Sequence, residues 1–208
     1  MPHLTDLTGL ASAASAITAG LLLFSGITRI PKTYLAMLLG AVFSLVLIPF
    51  GTIPLAAYVR GVTGELSITT LVLLWCALLR PWCNSIQCDS RFALSILIVG
   101  AALALYPMAL GLSAYDPYRL GYGDPLFVTI LLLLALLAWF RKFSIIALCI
   151  AFAILAWAVG WYESDNLWDY LIDPFVTIYA LSMLTIRLVK KAQHRNVRVD
   201  LCNDSNHK

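Results

Sequence analysis

Charge is scarce in this 208-residue sequence: Asp, Glu, Lys and Arg make up 12% of it, hydrophobic residues 61%, and mean hydropathy is +0.87. A soluble domain of ordinary composition is about one quarter charged. Too few charges are present to coat a water-facing surface. This excludes a soluble globular domain, a disordered chain and a disulfide-stapled secreted module. The apolar runs are continuous rather than alternating, which excludes a transmembrane β-barrel.

Histidine is scarcer still. His3, His194 and His207 are the whole set, and none lies in a long apolar run. Intramembrane bis-His haem ligation, zinc hydrolysis and Ser–His proteolysis all need His on a spanning helix. The last apolar run has no Lys in its middle for a Schiff base. No glycine-rich phosphate loop is present, so no nucleotide site and no cofactor are implied, and nucleic acid is not an expected partner. The five cysteines are Cys76, Cys83, Cys88, Cys149 and Cys202. The Cys83–Cys88 pair alone is too small a donor set for a metal, and free thiols are expected. No ionisable residue occupies the centre of any apolar run, which argues against a proton-driven pump.

What is present reads as an all-α polytopic membrane bundle of seven spans: 8–27, 34–50, 66–80, 92–112, 125–140, 143–162 and 174–189. A span needs about 20 mostly apolar residues. Runs 66–80 and 125–140 are short, and the apolar 54–63 stretch is a candidate extension of the former. The whole of 1–191 is expected to form one transmembrane domain, followed by a polar cytoplasmic tail, 192–208, with a disordered end.

Charge placement supports this count. Of 14 Lys and Arg residues, 12 fall in the links after spans 1, 3 and 5 or in the tail; the exceptions are Arg60 and Arg119. The opposite segments hold 8 of the 11 acids. Cationic loops stay on the cytoplasmic side. The pattern predicts an N-terminus outside and a C-terminus inside a cell membrane, the inner membrane if the source is bacterial. The leader MPHLTDLTG has no Lys or Arg, unlike a cleaved signal peptide. The Ala-rich stripe from Ala11 to Gly20 is expected to pack closely on a neighbour, and Tyr and Trp near the outer ends are expected to anchor at the headgroups.

An internal repeat adds to the pattern. Shifting the chain by 49 residues aligns 94–142 with 143–191 and gives eleven identities. These include Gly111 with Gly160, Asp116 with Asp165, Asp124-Pro125 with Asp173-Pro174, and Lys142 with Lys191. Spans 4–5 and 6–7 therefore read as a duplicated helical hairpin.

Its two outer loops concentrate the remaining chemistry. Asp124 and Asp173, each followed by Pro, are expected helix N-caps. Ser164, Asp165 or Asn166 is the expected cap of a short interfacial helix. Asp116, Arg119, Glu163, Asp165 and Asp169 form a candidate outer-face acidic cluster, with Arg119 expected to pair with Asp116 or Asp124. Converging carboxylates can bind a divalent cation, dock a basic partner or attract a cationic solute; they can also simply be a solvated rim.

With no catalytic set in view, the leading expectation is a non-enzymatic scaffold, assembly factor or accessory subunit of an envelope complex, in contact with membrane lipid and a protein partner. A small-solute or lipid facilitator on the repeated hairpins is the second. A lipid-headgroup enzyme using outer carboxylates is the third. Reporter fusions in the link at Arg141 and the link at Asp165 should report opposite faces of the membrane; both on one face would end the seven-span topology.

Overall fold

The computed structural model describes residues 4–26, 31–80, 88–112 and 116–205. Arg29, Cys83 and Tyr115 lie outside them. Each of the seven apolar runs carries a helix: α1 (Leu4–Phe24), α2 (Lys32–Leu47), α4 (Ile68–Leu78), α5 (Cys88–Ala109), α6 (Pro125–Phe140), α7 (Ser144–Ala158) and α9 (Pro174–Ser205). Between α2 and α4 lie a two-residue antiparallel ladder, β1 (Pro49–Phe50) with β2 (Ile53–Pro54), and the helix α3 (Leu55–Thr63). The loops of the repeat hold a 3-10 turn, Pro117–Gly121, and the one-turn helix α8 (Leu167–Leu171).

Three expectations change. The 54–63 stretch does not extend the third run. It forms α3, separated from α4 by Gly64 at φ 71°. That leaves α4 with 11 residues, about 16 Å at 1.5 Å per residue, roughly half the thickness of a bilayer core. Arg91 does not sit in a link; it is on the first turns of α5. The end of the tail, expected to be disordered from Asp200, continues α9 as far as Ser205. No Gly or Pro interrupts 175–205, and extending a nucleated helix costs little per residue.

Two packed layers result. In the first, α1 lies against α2, α3 and α4. Its Ala13, Ala14, Ala16 and Ala19 are buried together with Ser12 and Thr18. Small side chains let the backbones approach, which is how helices gain contact energy where lipid already satisfies apolar surface. Indole donors from other segments reach this stripe: Trp75 Nε1 donates to Ser15 Oγ at 2.8 Å and Trp161 Nε1 to Ser12 Oγ at 2.9 Å. In the second layer α7 is central, its Ile145, Ile146, Cys149, Ile150 and Ala153 buried against α4, α5 and α6. The chief partner of α5 is α9, with Tyr106 Oη 3.4 Å from Thr177 Oγ1, whereas α6 lies on α7. Large apolar side chains cover the outside, as on α6, where Leu132, Leu133, Leu136, Leu137, Trp139 and Phe140 are exposed.

Three helices end in the same closure. After α5, Gly111 N–H donates to Met108 O and Leu112 N–H to Pro107 O (3.0 and 3.2 Å). After α7, Gly160 and Trp161 repeat this with Trp157 O and Ala156 O (3.0 and 2.9 Å). After α6, Lys142 and Phe143 do so with Trp139 O and Ala138 O (3.0 and 2.8 Å). This double bond fixes the penultimate residue in the left-handed region, with φ 85° at Gly111 and 62° at both Gly160 and Lys142. Glycine adopts it freely, whereas a residue with a Cβ is strained by about 1–2 kcal/mol. Lys142→Gly should therefore stabilise the folded chain, by up to about 1 kcal/mol after the extra unfolded-state entropy of Gly is counted. Thermal unfolding in detergent checks this; a loss of stability would show that the Lys142 side chain makes a compensating contact.

Candidate functional site

At the acidic end of the bundle the loops form one continuous polar layer. Asp173 is its deepest carboxylate, 6% exposed. Its Oδ1 accepts from Val176 N–H at 2.6 Å, capping α9. Its Oδ2 accepts from Ser67 N–H at 2.7 Å and from Thr70 Oγ1 at 2.6 Å, so it also holds the start of α4. Ser67 Oγ meanwhile accepts from Thr70 N–H and caps α4 itself. Two helix N-termini thus converge on one carboxylate, where the positive ends of both dipoles favour negative charge. By contrast Asp124 serves one helix, its Oδ1 accepting from Leu126 and Phe127 N–H at 2.8 and 3.1 Å.

The two repeat loops meet, through Tyr118, Asn166 and Trp168 rather than through paired acids. Tyr118 Oη donates to the Asp169 carboxylate at 3.0 Å. Asn166 Nδ2 donates to Tyr118 O at 2.9 Å and Trp168 Nε1 to Pro117 O at 3.0 Å. Gly121 makes this approach possible: a Cβ there would lie 1.8 Å from Asn166 Oδ1. Burial, then the Asp169 charge and hydrogen bond, push the Tyr118 hydroxyl well above its ordinary value. It therefore remains a donor across the physiological range. Tyr170, completely buried, stacks on Tyr162 at 5.0 Å, accepts from Tyr162 N–H and donates to Ser164 O. Tyr162 in turn donates to Leu66 O at 2.7 Å, fastening the loop to α4. Tyr162, Tyr170 and Trp168 thus tie the loops to one another and to α4, and are not simple headgroup anchors.

The candidate cluster divides among separate tasks. Asp116 accepts from Tyr118 N–H at 3.0 Å and caps the 3-10 turn. Asp169 accepts from Tyr118 and from Ser164 Oγ. The side chain of Asp165 is exposed, while its carbonyl accepts from Trp157 Nε1; of Ser164, Asp165 and Asn166 it is Asn166 that caps α8, accepting from Trp168 N–H at 2.9 Å. Arg119 makes no ion pair among the described residues, contrary to the expected bond with Asp116 or Asp124. Across the seven residues that separate Asp116 from Asp124, the turn spends both carboxylates on backbone N–H groups and leaves the guanidinium in solvent.

Arg60 is the cation the sequence reading passed over. Its Nη2 lies 2.7 Å from Glu65 Oε1 and 2.7 Å from Glu163 Oε1, and its Nη1 lies 3.8 Å from Asp6 Oδ1. One guanidinium on α3 therefore joins α1, the α3–α4 link and the loop after α7. Gly9 leaves it room: a Cβ there would come within 2.8 Å of Arg60 Cζ. Burial lowers the Arg60 pKa, but hydrogen bonds to Glu65 and Glu163 outweigh it and the net direction is upward. Glu65 is also raised, because its own burial exceeds the help it receives from Arg60. These residues line an open cleft of about 520 Å³ with Leu10 and Ala57. Three carboxylates face one guanidinium, so the cleft is net negative and attracts cations. Among the described residues no three His, Cys, Asp or Glu side chains are grouped to hold a metal ion. Among the described residues, Glu65 and Glu163 share Arg60, Asp116 and Asp173 are held by backbone N–H groups, and Asp165 faces solvent.

No family model matches the chain, and no solved structure matches it. A stretch of 107 residues, 51% of this chain, is 35% identical to the high-affinity zinc uptake system membrane protein ZnuB of Haemophilus influenzae. The matched stretch spans 40% of that relative's length. Together with the apolar exterior, the likeness supports a helical, multi-pass, integral membrane protein.

The shared cap makes the two N-cap aspartates unequal. Asp173→Ala should cost about 3 kcal/mol or more, since charge-assisted bonds of about 1.5–3 kcal/mol are lost and buried donors are stranded. Asp124→Ala should cost about 1 kcal/mol, the usual value of one N-cap. Comparing their thermal midpoints in detergent tests this; equal losses would mean that α4 does not depend on Asp173.

Proposed function

We propose that this chain is a membrane-embedded component of an envelope uptake system for a cationic solute, acting as an accessory or scaffold subunit that docks partners through its acidic, aromatic loop layer. The likeness to a membrane protein of a zinc uptake system carries the reading. The net negative cleft around Arg60 agrees with it, because a divalent cation or a basic partner segment would be drawn to that end. Zinc is the first cargo to test, as solute rather than resident ligand.

In this reading the seven helices over the apolar runs all cross the bilayer, with the N-terminus outside, the C-terminus in the cytoplasm and a bacterial inner membrane as the setting. The shorter helices cross as parts of a packed bundle, their ends completed by the loop layer. The matched closures at Gly111 and Gly160, and the short capped turn in each loop, support two copies of one helix–loop–helix unit. The partners are crossed between copies, α5 lying on α9 and α6 on α7. Parallel repeats of this kind are a recurrent transporter plan.

The test is purification of the tagged full-length chain from its native membranes in mild detergent, alongside zinc accumulation in cells lacking it. Co-purifying subunits of an uptake system and reduced zinc accumulation are expected. A chain that runs alone and leaves zinc unchanged would overturn the proposal. Zinc flux through the chain alone in proteoliposomes would replace it with a self-sufficient facilitator.

A further inference from the structure

A second cavity, of about 300 Å³, lies between α4, α5 and α9, with Leu23 of α1 at its edge. Its walls are apolar, among them Leu73, Leu74 and Ala77 of α4 and Val176 of α9. It opens sideways past Phe175 and Tyr179, which are 46% and 41% exposed. Into this apolar crevice comes one charged group, Arg91. Its Nε is buried and has no hydrogen-bond partner. The ion pairs among the described residues all belong to Arg60, and no carboxylate lines the crevice.

The placement follows from the short α4. A helix of 11 residues ends at Leu78, while neighbouring α5 and α9 continue beyond that level. Arg91 lies on the first turns of α5 and lines the crevice with Ala77, at the end of α4. Further cations share this end of the bundle: Arg80 is exposed just after α4, and Arg187 of α9 lies 4.2 Å over the Phe92 ring. Arg91 is half-buried as a whole, but burying part of a guanidinium without a counter-charge is costly, and a phosphate oxygen is a strong partner for it. From Arg91 the crevice runs beside Ala77 to Thr70, seven residues or about 10 Å along the helix. That is the path an acyl chain takes away from a headgroup at the basic end, and it runs as far as the first turn of α4, where Thr70 bonds Asp173.

We infer that this crevice binds an anionic phospholipid, its phosphate on Arg91 and one acyl chain laid along α4. The single cation at one end and the apolar walls open to the membrane match an amphiphile with one charged head. A soluble anion would gain nothing from the apolar length. The inference stands whether or not the chain belongs to an uptake system.

The experiment uses the purified full-length chain in detergent, with phosphatidylglycerol, phosphatidylcholine and inorganic phosphate as separate probes. Phosphatidylglycerol should raise the thermal midpoint and stay bound in native mass spectrometry, whereas phosphatidylcholine and inorganic phosphate should do neither. Arg91→Gln should fold, since it removes an unpaired charge, and should bind phosphatidylglycerol about tenfold more weakly. Arg91→Lys should retain part of the binding. Ala77→Phe should block it while leaving Arg91 in place. Equal phosphatidylglycerol binding by wild type and Arg91→Gln would overturn the inference, and stabilisation by inorganic phosphate alone would turn the crevice into a soluble-anion site.

Discussion

The arrangement of the acidic end depends on one buried carboxylate. Asp173 accepts from the first turn of its own helix and from the start of α4, a helix 106 positions earlier in sequence at Ser67. In hydrocarbon or at its edge, an unmade backbone hydrogen bond has no water to fall back on. Each helix start must therefore find an acceptor. Here one side chain serves two starts, so the separation and relative height of α4 and α9 are set together. Tyr162, held by Tyr170 and donating to Leu66, adds a second tie to the same junction. The loop layer is thus a frame on which the helices hang.

A net negative cleft and an isolated cation occupy opposite ends of this frame. Around Arg60 the carboxylates outnumber the guanidinium, and every described ion pair of the chain gathers there. Around Arg91 the opposite imbalance holds. The bundle is therefore polarised along its axis by placement of a few side chains as well as by net loop charge. Such polarity draws cations to the end that holds Arg60 and anions to the end that holds Arg91.

The positions of the helices were legible because lipid leaves so little freedom: long apolar runs, and the Asp-Pro junctions at 124–125 and 173–174, marked where α6 and α9 begin. The glycine closures were visible as the Gly111–Gly160 match, though not as the same geometry at Lys142, which no propensity would put at positive φ. The site was harder. Charge counting grouped acids by side of the membrane, and so gathered Asp116, Asp165 and Asp169 into one cluster. It could not see that local backbone N–H groups and a tyrosine hydroxyl would claim them individually. Arg60 had a signal, as one of two cations among the acids with Glu65 five residues on, but its other partners are 54 and 103 residues away. The cap of α8 was narrowed to Ser164, Asp165 or Asn166 from sequence, and the structure selects Asn166, one residue on from the position aligned with the capping Asp116.

The unbroken course of α9 has a mechanical corollary. Helix α6, with which it aligns in sequence, stops at Arg141, whereas α9 passes the aligned position at Lys190 and runs on to Ser205 without a glycine or proline. A helix with no hinge behaves as a rod. Tilt imposed on its polar extension is delivered undamped to the far end, where the Asp173 carboxylate grips α4.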